Sequence, residues 1–549
     1  MKRILALASA GAFALAGCGE GGNGGSAVTA ARTENPVVET FRNPPELRSQ
    51  NGELRTTLTV APATVQLAGK SVTTTVYNGS WIPPVLRLRP GEQLLLDLDN
   101  RAAEPTNEHF HGLNVSPGIN ADATVSDNVF VHVEPGSKVS YRIAIPPTHN
   151  SGLYWYHTHQ HGIAQRQVMG GLSGGLVIDG VLDPLPQLQG ITERIMLLKD
   201  IQITPQGTLP DDIDPSAPSD RMVNGQVNPT LVIRPGETQF LRLGNIGSDV
   251  YYKLKLDGHV FHELARDGNR HNQLVTSDEL LLPPGSRSEV LIQGAAQGTY
   301  LLRALAFDTG PAGDSYPEAT LATLVSQGQA QTPIALPTAL PAVEDLRTLP
   351  VARRRTITFV EDTANNTFFI DSGNGPLMFD ANRIDSTIPS GTVEEWTVLN
   401  ATPELHVFHI HQTDFQVTEI NGVAQPFVGH QDNINVSYQP DASSAPGQVK
   451  LLIDFRNPLI VGKFVYHCHI LEHEDGGMMA VAEVVKPAMA AAAQFGATLV
   501  KAVNRTLGRS AERGNADEAA RIEQTLSAVQ AGSYCRTEEP RAASQDATR

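Results

Sequence analysis

The sequence predicts an all-β protein built from three antiparallel β-sandwich domains, and three observations carry that reading. Gly (48) and Pro (37) are abundant for a helical chain, yet their share lies well under the ~25–30% that marks low-complexity disorder. Short runs rich in Val, Leu, Thr and Tyr alternate with period 2 and end in tight turns such as Asn78-Gly79, Asn224-Gly225 and Pro284-Gly285. One unit also recurs. Leu88-Arg89-Pro90-Gly91-Glu92 leads to Asn100, Ile233-Arg234-Pro235-Gly236-Glu237 leads to Asn245, and Pro389-Ser390-Gly391 leads to Asn400. The glycine stands nine positions before the asparagine in each copy, and the copies lie one domain length (about 150 residues) apart.

In chain order, Lys2 and Arg3 precede an apolar run from Ile4 to Leu15 that is too short to span a bilayer, so residues 1–17 read as a signal peptide. Leu15-Ala16-Gly17-Cys18 resembles the lipobox of bacterial lipoproteins, which implies a lipid anchor on Cys18 and an exported protein at the periplasmic or cell-envelope face. The glycine-rich stretch Gly19–Gly25 suits a flexible tether, taken over 18–54. The three domains follow over 55–182, 188–335 and 345–486, divided by Pro-rich segments near Asp183–Pro186 and Pro333–Pro341. Ala488–Arg505 and Asn515–Val529 have helix-favouring composition, so residues 487–549 are expected to form a helical tail. Three cysteines (Cys18, Cys468, Cys535) exclude a disulfide framework; Cys535 reads as a free thiol, with an intermolecular disulfide as the alternative. A net charge of −17 repels phosphate backbones, so nucleic acid is excluded as a partner, the membrane is met only through the anchor, and a monomer is expected.

The 17 histidines are unevenly placed: seven lie between 109 and 161, seven between 406 and 473, and only His259, His262 and His271 in the middle domain. They form His109-x-His111, His157-x-His159-x-His161, His406-x-x-His409-x-His411 and His467-Cys468-His469-x-x-x-His473, with Met478 five positions further on. The repeat aligns these segments: His109 and His409 each lie nine after their asparagine, and His157 and His467 each lie five after Gly152 and Gly462. The middle copy places Leu254, Leu256, Arg303 and Leu305 at the matching positions and so carries no ligands. Residues i and i+2 of a strand share a face, so each His-x-His is a two-pronged clamp, and four clamps bring eight imidazoles to one interface. Neutral imidazoles suit copper, zinc or iron. Alternation turns Cys468 away from His467 and His469, toward His406, His473 and Met478, a His₂Cys set with an axial Met that matches a blue-copper electron-transfer site.

These motifs resemble those of the multicopper oxidases over roughly residues 55–485. The resemblance implies three cupredoxin-like domains and four copper ions. It implies a type 1 copper on His406, Cys468, His473 and Met478, and a type 2 copper on His109 and His409. The type 3 pair falls on His111, His157 and His469 for one ion and on His159, His411 and His467 for the other. Electrons from a donor would pass from the type 1 site through Cys468 to His467 and His469, and four of them would reduce O₂ to two waters. Proton relays are expected at Glu474 and at Asp127, with Asp122 as the alternative to Asp127; His161 is placed beside the cluster rather than among the ligands. His132, His149 and His430 are left as surface or structural residues.

For the donor, a phenolic or similar aromatic molecule ranks first, as in a laccase, because the eight methionines show no soft, Met-rich cluster over the type 1 site. A metallo-oxidase of Cu(I), Fe(II) or Mn(II) ranks second, favoured by the likeness of His467–Asp475 to bacterial copper-tolerance members. A copper-sequestering protein without turnover is the alternative of a different class. Glu404, Glu419 and Asp432 read as solvated loop residues, with an acidic docking patch as the other possibility.

Overall fold

The computed structural model describes residues 39–487; the expected signal peptide, the Cys18 anchor, most of the tether, Cys535 and the helical tail lie outside that range. Strands dominate, with two short α-helices, Ala164–Gly170 and Leu471–Asp475, among the described residues. None of those helices is long and apolar enough to cross a membrane.

Six larger sheets pair into three two-layer units. In the first unit, Lys70–Tyr77, Glu53–Leu67, Gln93–Asn100 and Lys138–Ala144 face a sheet made of Glu46–Arg48, Val85–Leu88, Ser173–Ile178, Gly152–His157 and His109–His111. Gln93–Asn100 shows the local logic: Leu94, Leu96, Leu98 and Asn100 are buried while the residues between them are half-exposed, as a two-residue side-chain period requires. Phe110, Tyr154, Leu176 and Ile178 of the opposite sheet complete the same core. The middle unit packs a six-stranded sheet on a five-stranded one, and the third packs a seven-stranded sheet on a five-stranded one.

The repeat seen in sequence recurs in space. Gln93–Asn100, Thr238–Asn245 and Val393–Asn400 each pair in parallel with one neighbour and antiparallel with the other. Their closing asparagines are fully buried. Each donates from its side-chain amide to two backbone carbonyls: Asn100 to Glu104 and Val133, Asn245 to Val250 and Leu282, Asn400 to Glu404 and Val436. These latches fix the loop that leads into the next strand, which is where His109 and His406 begin. Gly91, Gly236 and Gly391 all adopt positive φ (89°, 78° and 87°), so the repeat preserves glycine at a left-handed turn.

Two expectations are corrected. The sheets are mixed rather than antiparallel, because connections that cross between layers return in parallel, as Glu46–Arg48 does beside Val85–Leu88; hairpin turns report only neighbours in sequence. The tether is also shorter than 18–54. Phe41 is buried among middle-unit residues and its amide donates to the Thr230 carbonyl (2.9 Å), while Glu46–Arg48 and Glu53–Leu67 are strands. Apolar burial at Phe41 and an open strand edge at Val85–Leu88 order a segment whose composition looked linker-like.

Lys199, in the strand Thr192–Ile201, is fully buried, and its ammonium lies 4.6 Å from the Trp81 ring without a hydrogen-bond acceptor. Burial pushes it down to about 7, against a smaller opposing pull from Asp200. The unfolded chain therefore holds more protons than the folded one from about pH 7 upward, and stability rises with pH in that window. The expected slope is up to ~1.4 kcal/mol per pH unit. Urea unfolding of Lys199→Met between pH 7 and 9 should lack the slope that the native chain shows.

Candidate metal centre

Strand pairing within each outer unit sets the histidines opposite one another. His109 lies opposite His157 and His111 opposite Trp155 in the first unit, while His409 lies opposite His467 and Phe408 opposite Cys468 in the third. The two clusters then meet. His109 stacks on His411 with ring centres 3.8 Å apart, and His111 stacks on His409 at 4.0 Å. His111 Nδ1 is 3.1 Å from His469 Nε2, and His467 Nε2 is 3.3 Å from His159 Nε2 and 3.2 Å from His411 Nε2. Three groups with ligand atoms within 4.8 Å of one another result: His109, His111 and His409; His111, His157 and His469; His159, His411 and His467.

Hydrogen bonds at the outer nitrogen decide which lone pairs face inward. His109 Nδ1 donates to Asp127 Oδ1 (3.0 Å), His157 Nδ1 to the Thr158 carbonyl (2.8 Å), and His409 Nδ1 to the Asp432 carbonyl (2.8 Å). His467 Nδ1 donates to the Cys468 carbonyl (2.9 Å), and His159 Nδ1 faces Glu474 Oε1 at 3.3 Å. His111 is reversed, with Nε2 toward Asp432 Oδ1 (3.2 Å) and Nδ1 inward. Nε2 of His109, His157 and His409 is buried without any hydrogen-bond partner. A buried polar atom with no partner is costly, and several converging lone pairs are reconciled by a cation. Burial holds His157 and His473 at about 3 and His467 at about 4, and depresses the others as well. Neutral imidazoles with convergent lone pairs fit a borderline transition metal such as copper.

The second group lies on the far side of the strand that ends at Cys468. Cys468 Sγ is 3.5 Å from His406 Nδ1 and 3.6 Å from His473 Nδ1, and those two nitrogens are 2.9 Å apart. Met478 is fully buried; its amide donates to the His473 carbonyl, and its own carbonyl accepts from Cys468. Burial pushes the Cys468 thiol up, so a bound cation is what makes a thiolate accessible here. Phe368 stacks on the His473 ring at 4.4 Å.

The carboxylates sort differently from one another. Asp127 is buried, accepts from His109, from the Phe110 amide (3.0 Å) and from Gln412 Nε2 (2.7 Å), and is pushed up to about 7 by burial. Asp122 instead pairs with Arg142 and Thr124 on the exposed part of the loop, away from the cluster. Glu474 is fully buried, with Oε1 facing His159 and Oε2 3.2 Å from His467 Nδ1, and burial raises it strongly. Its neighbour Asp475 crosses to the first unit and accepts from the amides of Gly162, Ala164 and Gln165, at the start of Ala164–Gly170.

The solvated-loop reading of Glu404 and Asp432 is corrected: both are buried. Asp432 ion-pairs with Arg287 beside the histidine cluster, and Glu404 Oε1 is 3.3 Å from His473 Nε2. Glu419 pairs with Lys450 at 3.0 Å on its own sheet, so the three acids form no common patch. The outcome turned on long-range packing that puts each loop under another domain. His161 lies 4.8 Å from Phe379 and belongs to none of the ligand groups; His132 pairs with Gln160, and His149 accepts from the Asn114 amide. Sequence reasoning missed Arg287 and Glu361. Arg287 sits two residues past the Pro284-Gly285 turn, in a domain with no ligands to draw attention to it.

Two-layer β units with imidazoles converging between the first and third, and a Cys468–His406–His473 group beside them, define a copper-protein architecture. Three family profiles described as multicopper oxidase match residues 59–181, 154–329 and 348–488, and the chain belongs to the multicopper oxidase family. It is similar to multicopper oxidase mco of Staphylococcus aureus, 27% identical over 75% of this chain and 83% of that protein. Cell division protein FtsP of Escherichia coli is 27% identical over 73% and 83%, and the laccase of Bacillus subtilis 26% over 75% and 90%. Among solved structures, a multicopper oxidase from Campylobacter jejuni described as a metallo-oxidase superposes with a TM-score of 0.69 at 26% identity, covering 82% of this chain and 95% of that one. Family membership implies copper ions, with O₂ as electron acceptor.

Depressed imidazoles remove the proton competition that an ordinary histidine, with its pKa of ~6.5, presents to a metal. Copper affinity of the histidine cluster, measured in metal-free Cys468→Ser protein by competition with a chelator of known affinity so that no thiol proton is released, should be nearly flat from pH 8 to 5 and should fall as pH approaches the values near 4 and 3 at His467 and His157.

Proposed function

We propose that the protein is a copper-dependent oxidase that takes single electrons from a small donor at His473 and delivers four of them to O₂ at the histidine cluster, releasing two waters. The observation that carries this reading is the convergent donor set: three imidazole triads and the His406–Cys468–His473 group. Copper there would be held by His406, Cys468, His473 and Met478 at one site and by the three imidazole triads at the other, and would supply the one-electron chemistry and the reduction of O₂. Cys468 stands between His467 and His469, so the donor-side sulfur and two cluster imidazoles share one short stretch of backbone. Burial raises Glu474 beside His159 and His467, and pushes Asp127 beside His109 up to about 7. Both stand where reduction of O₂ consumes protons.

FtsP is a relative named for cell division. This chain keeps every ligand position its fold aligns, and that supports redox turnover over a purely structural role. On the grounds of Lys2–Cys18 we place the enzyme at the cell envelope, anchored through Cys18.

The donor side favours a metal ion. Glu361 and Glu404 bring carboxylate oxygens within 4.8 Å of one another and of His406. Burial and their mutual repulsion raise Glu404, so the pair shares a proton. A cation can replace that proton and gain two carboxylates beside the His473 edge. A phenolic donor, ranked first from sequence, would need Glu404 ionised to accept its proton, which its surroundings oppose.

Oxygen uptake by the copper-loaded protein with Fe(II), Cu(I) and a phenol in parallel tests both parts. Uptake with the metal ions, reduced several-fold at limiting donor by Glu404→Gln and unchanged with the phenol, is expected. Preference for the phenol overturns the donor assignment, and no uptake with any donor at full copper loading overturns the oxidase. A further expected outcome is that His409→Ala stops uptake while the blue colour of the Cys468 site persists.

A further inference from the structure

We propose that the middle domain, which contributes no ligand, fixes the orientation and tautomer of two ligand imidazoles, His111 and His409, through Arg287 and Asp432. The inference rests on copper binding in the histidine cluster.

Asp432 reaches both outer domains at once. Its carboxylate Oδ1 lies 3.2 Å from His111 Nε2 of the first domain, and its carbonyl accepts from His409 Nδ1 of the third at 2.8 Å. A carboxylate cannot donate, so its position keeps the proton of neutral His111 on Nε2 and turns the Nδ1 lone pair toward His469 and the cluster. The carbonyl does the same for His409 with the nitrogens exchanged, leaving Nε2 inward. The two rings are held stacked at 4.0 Å with 12° between their planes. Loss of the carboxylate frees His111 to adopt the other tautomer or to turn, and loss of the clamp that seats residue 432 lets its carbonyl shift off His409.

Arg287 holds Asp432. Its guanidinium is fully buried and bidentate, Nη1 donating to Oδ1 at 2.8 Å and Nη2 to Oδ2 at 2.7 Å. The remaining donors are spent on backbone: Nε on the Leu153 carbonyl of the first domain (3.1 Å) and Nη1 also on Gly285 (3.1 Å). Its own amide donates to Asp267 Oδ1 at 2.8 Å. Three nitrogens of the fork thus make four hydrogen bonds to fixed acceptors, a geometry a lysine does not reproduce. The turn that carries it also abuts the cluster directly: a Cβ on Gly285 would stand 2.9 Å from His469 Cδ2 and 3.0 Å from its Nε2, and φ there is +82°. A buried ion pair is a weak source of net stability, whereas an acceptor fixed against two imidazoles is a direct source of ligand geometry.

The test reconstitutes wild type, Asp432→Asn, Arg287→Lys and Arg287→Met with copper. It follows two separate signals: the paramagnetic resonance and copper count of the cluster, and the blue absorption of copper on Cys468. Asp432→Asn and Arg287→Met should retain cluster copper about 10–100-fold more weakly, with Arg287→Lys between them and wild type. The blue absorption should be unchanged throughout. If Arg287→Met does not fold by circular dichroism, the double variant Arg287→Met/Asp432→Asn, which removes both charges of the ion pair, replaces it. Unchanged cluster signals in the folded variants overturn the proposal, as does a parallel loss of cluster and blue signals, which marks a general structural role. A wild type that binds no copper in the cluster overturns the oxidase reading and this inference with it; copper bound equally by wild type and variants overturns this inference alone.

Discussion

Everything at this site follows from placing many neutral imidazoles in a dry interface with their lone pairs pointed at one another. Burial removes the protonated forms, so the rings cannot relieve their mutual approach by becoming cations, and they cannot all donate to each other either. A bound cation is the remaining solution, and the protein's task reduces to holding one tautomer at each ring. Asp127, Glu474, Asp432 and the carbonyls of Thr158 and Cys468 perform that task from outside the ligand set.

The domain arrangement serves the same constraint. Each outer domain presents its ligands from paired strands, His109 against His157 and His409 against His467, so half of the geometry is set by antiparallel register within one domain. The other half depends on bringing the domains face to face. Residues next to the ligands make those contacts: Asp475 accepts from three amides at Gly162–Gln165, and Gln412 of the third domain donates to Asp127 of the first. The middle domain adds the Pro284–Arg287 turn against His469 and Asp432, which gives a ligand-free domain a reason to retain its position.

Strand alternation also separates the Cys468 group, the proposed entry side for electrons, from the histidine cluster proposed to reduce O₂. Cys468 faces His406 and His473 while its two neighbours face the cluster, so one strand end serves two sites without a linker. The paired carboxyls of Glu361 and Glu404 give the entry side an electrostatic character of its own, distinct from the buried acids at the cluster. Phe368 over His473 narrows access to that ring.

The all-β class, the three-fold repeat and the histidines that the structure gathers were legible in the sequence because each depends on local periodicity: the two-residue side-chain period, turn glycines at positive φ, and His-x-His spacing within one strand. Glu474 was picked out by its adjacency to His473 and Asp127 was preferred to Asp122 from sequence; the fold supplies the physical difference, since Asp127 lies under the Phe110 amide while Asp122 pairs with Arg142. Parallel strand neighbours, the ordering of residues 39–54, the burial of Glu404 and Asp432, and the reach of Arg287 into the cluster were decided by the tertiary structure alone. These features join residues far apart in the chain, 145 positions for Arg287 and Asp432, and no local pattern encodes which loop will be covered by which domain. Burial then sets the chemistry, since the same aspartate that is a solvated charge on an open loop becomes a fixed acceptor when a guanidinium and two imidazoles close around it.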